Sequence, residues 1–225
     1  MTTMNVDIIK GEILSEKLRA ARADANLAET LAEAAALAHG KDLRRWLYDT
    51  AGDSEERVFR FTGEVTPGSV GGTIDLLGRW DRMDNANGAT DRPYTIYITS
   101  GGGMIMPGIS LHSFLSRLAT RRPVTTIASG FCASMATVLH QAGTVRKIER
   151  ASSYLIHDAS AGAYGDVSSL RDQADWIDRI NTDLHKILAE KSNLTVPEIG
   201  ERAKRKDWTL NAEQCVELGF ADEVI

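Results

Sequence analysis

One serine among the 225 residues stands where a side chain can be both held and presented. Ser134 lies in GFCASMATVLHQAG, residues 130–143, between the β-branched run VTTIASG and the helical run MATVLHQAG. A strand that turns directly into a helix delivers this side chain at the strand's carboxyl end, where open α/β sheets keep their sites. The first turn of the helix adds free amides and a positive dipole end, both suited to an anionic tetrahedral intermediate. Ala133 and Ala136 leave room for a substrate backbone. The competing role is a helix cap, with Oγ accepting from a first-turn amide. The stretch is not the G-x-S-x-G elbow of the α/β-hydrolases, because Cys132 and Ala136 occupy its glycine positions.

A second piece is TSGGG, residues 99–103, after the strand-like YTIYI. Three glycines permit close backbone approach and unusual dihedrals. A phosphate-cradling role fails on pattern: no Gly-Lys-Ser/Thr ending follows, and Met106 breaks G-x-G-x-x-G. A tight turn and an amide-lined groove beside Ser134 both remain open. A nucleophilic serine also needs a base. Of His39, His112, His140, His157 and His185, no two have the helical spacing of metal ligands, so no metal site is expected. His39 ends a helical pattern, and His112, His140 and His185 fall inside others. His157 instead ends the apolar strand SYLIHD, again at a carboxyl end. Asp158, Asp166 and Asp207 are all candidates to orient it, and pattern alone does not choose among them.

The elements that must position these residues alternate from Arg57 onward. RVFRFTGEV (57–65), YTIYITS (94–100), VTTIASG (124–130) and SSYLIHD (152–158) read as strands. GGTIDLLGRWDRM (71–83), PGISLHSFLSRLAT (107–120) and the long run 166–192 read as helices, with turn-rich DNANGATDRP between the first helix and the second strand. Thr195 with Glu198 forms a capping box for the next helix, and Asn211 caps a last one that stops at Gly219. Repeated alternation predicts an α/β domain with a largely parallel sheet over 57–225. Residues 1–56 differ. From Lys10 to His39, Leu14, Ala21, Ala28 and Ala35 recur every seventh position, predicting an Ala-rich helical extension with a narrow apolar seam.

Composition narrows the functional classes. A net charge of −5 argues against nucleic acid as a partner, since phosphate binding needs clustered Lys and Arg. No apolar run approaches the ~20 residues of a membrane span. MTTMNVDIIKGEILSEK has neither the basic start nor the continuous apolar core of a signal peptide. Cys132 and Cys215 are too few for a disulfide framework, which points to a reducing, cytoplasmic setting.

GFCASMATVLHQAG resembles the active-serine segment of the ClpP family of serine peptidases, in which Gly-x-x-Ala-Ser-Met precedes a helix ending in Ala-Gly. YITSGGGMIMPGISLHSFL is similar to that family's strand, glycine pair and following helix. SSYLIHDASAGAYGD resembles its histidine strand, and RKDWTLNAEQCVELGFADEVI its C-terminal segment, all in the family's order. The resemblance implies a ClpP/crotonase-like spiral of strand–helix units with a long handle helix. It implies a serine endopeptidase without cofactor, with Ser134, His157 and Asp207 as triad and the amides of Gly102 and Met135 as oxyanion donors. It also implies peptide or unfolded-protein substrates, a homo-oligomeric ring of six or seven subunits, and an AAA+ unfoldase as a candidate partner. Three departures stand out: Gly101 replaces a usual proline, Arg205-Lys206 replaces an Asp-Arg pair, and the Ala-rich helix replaces short gating loops. They point towards the ClpP-like head-maturation peptidases of phages. The competing readings are a crotonase-type thioester enzyme and an inactive scaffold subunit of the same fold.

Overall fold

The computed structural model describes residues 55–160, 162, 164–204 and 207–225. The helix expected over Lys10–His39, and all of the 1–56 extension except its last two residues, lie outside the described residues. Among the described residues, thirteen elements follow in chain order: β1 (Val58–Thr62), α1 (Pro67–Ala86), β2 (Tyr94–Ser100), α2 (Ile105–Ala119), β3 (Val124–Ala133), α3 (Met135–His140), β4 (Val145–Ile148), β5 (Ser153–Ile156), α4 (Val167–Glu190), α5 (Val196–Ala203), β6 (Trp208–Leu210), α6 (Ala212–Glu217) and β7 (Glu223–Val224). The alternation is that of the expected α/β class.

Most boundaries sit where local chemistry sets them. Asp166 accepts from the Ser169 amide at 2.8 Å and starts α4, while reciprocal Thr195–Glu198 and Asn211–Gln214 bonds start α5 and α6. Helix α1 begins four residues before the expected Gly71. Thr66 accepts from the Ser69 amide, Ser69 Oγ accepts from the Thr66 amide, and Pro67 occupies the first turn without losing a needed donor.

The sheet runs β1-β2-β3-β4-β7 with every pair parallel, and β5 adds to β3 in parallel before pairing antiparallel with β6. Strand β3 changes neighbours along its length: Thr125–Ala128 pair with β4, and Phe131–Ala133 pair with β5. On its other edge, β3 advances from Ala128 to Cys132 while β2 advances only from Ile98 to Ser100. This irregularity bends the end of β3 away from β4. The core includes Leu77, Ile96, Ile98, Leu111, Leu115, Leu139, Ile148, Tyr154 and Phe220, while alternate positions of β1 and β2 are partly or fully exposed. The Tyr154 and Phe220 rings stack with centroids 6.0 Å apart, and Tyr154 OH donates to the Thr137 carbonyl at 3.1 Å.

A buried ion cluster ties β1 and α1 to β2. Arg57 grips Asp84 through Nε at 2.9 Å and Nη2 at 2.6 Å, and Tyr94 OH donates to Asp84 Oδ2 at 2.8 Å. Arg122, fully buried, reaches Asp81 Oδ1 at 2.7 Å. The Asp84 side chain is 1% exposed, and the Arg57 hydrogen bonds hold its carboxyl below the usual range. Removing one partner of such a cluster strands the other charges out of water. Because the folded-state value is depressed, this stabilisation is present above the carboxyl's unfolded-state value and is lost as pH falls through the folded one. Asp84→Asn should therefore lower unfolding free energy by about 3–5 kcal/mol at neutral pH. The gap to wild type should narrow progressively in acid, as read by urea denaturation across pH.

Candidate active site

Ser134 follows β3 directly, and its backbone has φ 55° and ψ −126°, a conformation that non-glycine residues rarely adopt. Holding a serine there costs about 1–3 kcal/mol. Three bonds maintain it: its amide donates to the Leu155 carbonyl at 2.8 Å, and its carbonyl accepts from the Thr137 amide at 3.0 Å and from Thr137 Oγ1 at 2.7 Å. Its side chain makes no capping bond to α3, so the cap role is not the one this serine plays. The G-x-S-x-G sequence is absent, yet the strand-to-helix turn has the sharp, strained character of such an elbow.

Gly102 explains why the glycine run must be there. With φ +93°, it sits so close that a Cβ would lie 2.6 Å from Ser134 Cβ, 2.7 Å from the Ala133 carbonyl oxygen and 2.9 Å from the Met135 amide nitrogen. The Gly102 carbonyl accepts from the Val65 amide, and the Met104 amide donates to the Val65 carbonyl, both at 2.8 Å, which staples the loop to the end of β1. The Gly102 N–H donates to Ser100 Oγ at 3.1 Å. Gly103 beside it lines the same cavity as Ser134 and Met135.

Register then brings the remaining residues together. Ala133 pairs with Leu155 in parallel, and Ile156 pairs with Trp208 antiparallel. Continuing both ladders by one residue sets Ser134 beside the end of β5 and His157 across from Asp207. His157 Nδ1 lies 3.1 Å from Asp207 Oδ1. The three aspartates that pattern left open are thus separated: Asp207 meets His157, Asp158 lies 3.1 Å from His185 Nε2, and Asp166 caps α4. His157 and Ser134 line one cavity of about 100 Å³, walled by Ile105, Met135, Val138, Leu184 and Leu188. No hydrogen bond joins Ser134 to His157 among the described residues. Such bonds commonly tighten only around bound substrate.

The other histidines do different work. His140 is buried against the Lys147 carbonyl at 2.9 Å, and burial lowers its pKa to about 4. His39 lies outside the described residues. Cys132 and Cys215 are buried thiols, and burial pushes Cys215 up to about 12, so neither offers a thiolate near neutral pH. Among the described residues, no group of three His, Cys, Asp or Glu side chains could hold a metal ion, and no helix is long and apolar enough to cross a membrane. Two polar cavity-lining residues were not read as part of the site from sequence: Asn181, which was not singled out, and His185, which was placed only inside a helix. Their signal was spacing: 181, 184, 185 and 188 form one helical face.

Residues 85–225 match the sequence profile of the family described as Clp protease. The chain belongs to the Clp protease family. Its ClpP-like part contains Ser134, His157, Asp207 and the glycine run. The chain is similar to the ATP-dependent Clp protease proteolytic subunit of Lactococcus lactis subsp. cremoris, at 28% identity over 76% of this chain and 84% of that one. It is also similar to the proteolytic subunit of Streptococcus sanguinis, at 29% identity over 76% and 85% of the two chains. The mixed α/β fold, with its largely parallel sheet and helices, is consistent with the ClpP fold.

Gly102→Ala forces a methyl against backbone atoms on either side of Ser134. It should slow fluorophosphonate labelling of Ser134 by tenfold or more while far-ultraviolet circular dichroism stays unchanged, since a misplacement of about 1 Å costs on the order of 100-fold in rate.

Proposed function

We propose that this ClpP-like chain is a serine endopeptidase using Ser134 as nucleophile, His157 as general base and Asp207 as the group that orients the imidazole. The observation that carries the reading is the convergence of a strained, uncapped Ser134 and the His157–Asp207 pair at one cavity. With Nδ1–H donating to Asp207, His157 keeps Nε2 free to take the Ser134 proton as Oγ attacks a peptide carbonyl. The protonated ring then gives that proton to the leaving amine, and water hydrolyses the acyl-enzyme by the reverse sequence. Amides at the start of α3 and in the glycine loop, those of Met135 and Gly102, are the oxyanion donors, each worth about 3 kcal/mol. The Gly102 N–H must exchange its bond to Ser100 Oγ to take this part, whereas the adjoining Gly103 N–H has no acceptor among the described residues.

The substrates under this reading are peptides and unfolded chains, hydrolysed inside a homo-oligomeric chamber in the cytoplasm. Exposed Val167, Leu170 and Trp176 on α4 support packing against a second copy. The matched relatives are described as ATP-dependent, and an AAA+ unfoldase delivering substrate fits that description. No cofactor or metal enters the chemistry proposed.

Ser134→Ala should reduce cleavage of short fluorogenic peptides by about 10⁴-fold or more with the fold retained. Fluorophosphonate should modify Ser134 in the wild-type chain, as read by peptide mapping. A wild-type protein that neither labels nor cleaves would favour a scaffold subunit instead. Light scattering at micromolar concentration should give six or seven times the monomer mass, or twice that for stacked rings. A monomer would remove the chamber from the reading.

A further inference from the structure

We propose that Asn181 and His185 are positioning residues: one face of α4 holds the two residues that follow His157 and so fixes where the imidazole stands. This rests on the reading of His157 as the general base. Asn181 Oδ1 accepts from the Ala159 amide at 2.7 Å, and His185 Nε2 lies 3.1 Å from Asp158 Oδ1. Strand β5 ends at Ile156, so ladder pairing no longer restrains the backbone beyond it. The only side-chain bond on His157 itself, among the described residues, goes to Asp207, and these side chains are 38% and 67% exposed. An ion pair open to water orders its members weakly. Two consecutive anchors on residues 158 and 159 supply the missing restraint.

Those anchors are built into the packing. Asn181 and His185 are one turn apart on α4, on the stripe with Leu184 and Leu188 that walls the cavity. The His185 side chain is 10% exposed. The ring packs beside Gly200 of α5, with Nδ1 towards that glycine and Nε2 facing Asp158. Burial, the larger influence, disfavours charge on His185 while Asp158 favours it, and the ring nitrogen stands 3.1 Å from the carboxylate oxygen.

The experiment uses the full chain and compares kcat and KM for a short peptide with the rate of fluorophosphonate labelling. Asn181→Ala and His185→Ala should each lower kcat and labelling by tenfold to a hundredfold, with KM within about twofold of wild type. Asn181→Asp retains the acceptor and His185→Gln retains the donor, and both should recover most of the lost kcat. Should the alanine variants fail to fold, Asn181→Leu and His185→Phe keep the volume and drop the polar contact, with the same loss expected. Wild-type kcat in the variants, or a rise in KM alone, would overturn the proposal. That failure is distinct from failure of the parent reading, which would appear as activity retained in Ser134→Ala or His157→Ala.

Discussion

Strand β3 cannot keep β4 as its partner along its whole length, and the candidate site depends on that switch. After Ala128 the strand bends, gives up β4 and pairs with β5 through Phe131–Ala133. Hydrogen-bonded ladders transmit position with little slack, because the side-chain period is two and a slip of one residue reverses every side chain. The β3–β5 ladder therefore decides where Ser134 emerges, and the antiparallel β5–β6 ladder decides what His157 faces. Gly102 then fills the space against Ser134 that no side chain could share. The site is assembled mainly by backbone pairing, with side chains completing it.

Two costs accompany this arrangement, and each is offset locally. The left-handed backbone of Ser134 is held by its bonds to Leu155 and Thr137. The buried Arg57, Asp84, Arg122 and Asp81 charges are offset by mutual pairing and by the Tyr94 hydroxyl. The strain sits beside the cavity, where it presents a reactive oxygen. The ion cluster sits between β1, α1 and β2, away from the candidate site.

What was legible in the sequence was what short-range chemistry controls. Strand β2 matches YTIYITS residue for residue, and Asp166, Thr195 and Asn211 cap helices as their types require. The earlier start of α1 was also written locally, in Thr66-Pro67-Gly68-Ser69, but the apolar periodicity of the following turns drew attention past it. Strands β6 and β7 went unread because three and two residues are too few to show a period, and β4, VRKI, has two basic residues between its apolar ends. Choosing Asp207 over Asp158 and Asp166 from residues alone was out of reach, since the choice is made by a pairing 50 residues apart in sequence. Only the resemblance of several ordered segments to a known family singled it out. Asn181 went unnoticed and His185 was read only as one of the histidines inside helices, because polar residues within a long helix read as solvent-facing until the opposite wall is known.

The antiparallel β5–β6 pairing also bears on how this chain tolerates changes of length. Helices α4 and α5 lie between the two strands, and a residue gained or lost within α4 would rotate the face that carries Asn181, Leu184, His185 and Leu188 away from the cavity. A single residue inserted within Ser153–Ile156 or Trp208–Leu210 would turn His157 or Asp207 to the opposite face of the sheet. The seven residues of these two strands must therefore be inherited with their number unchanged.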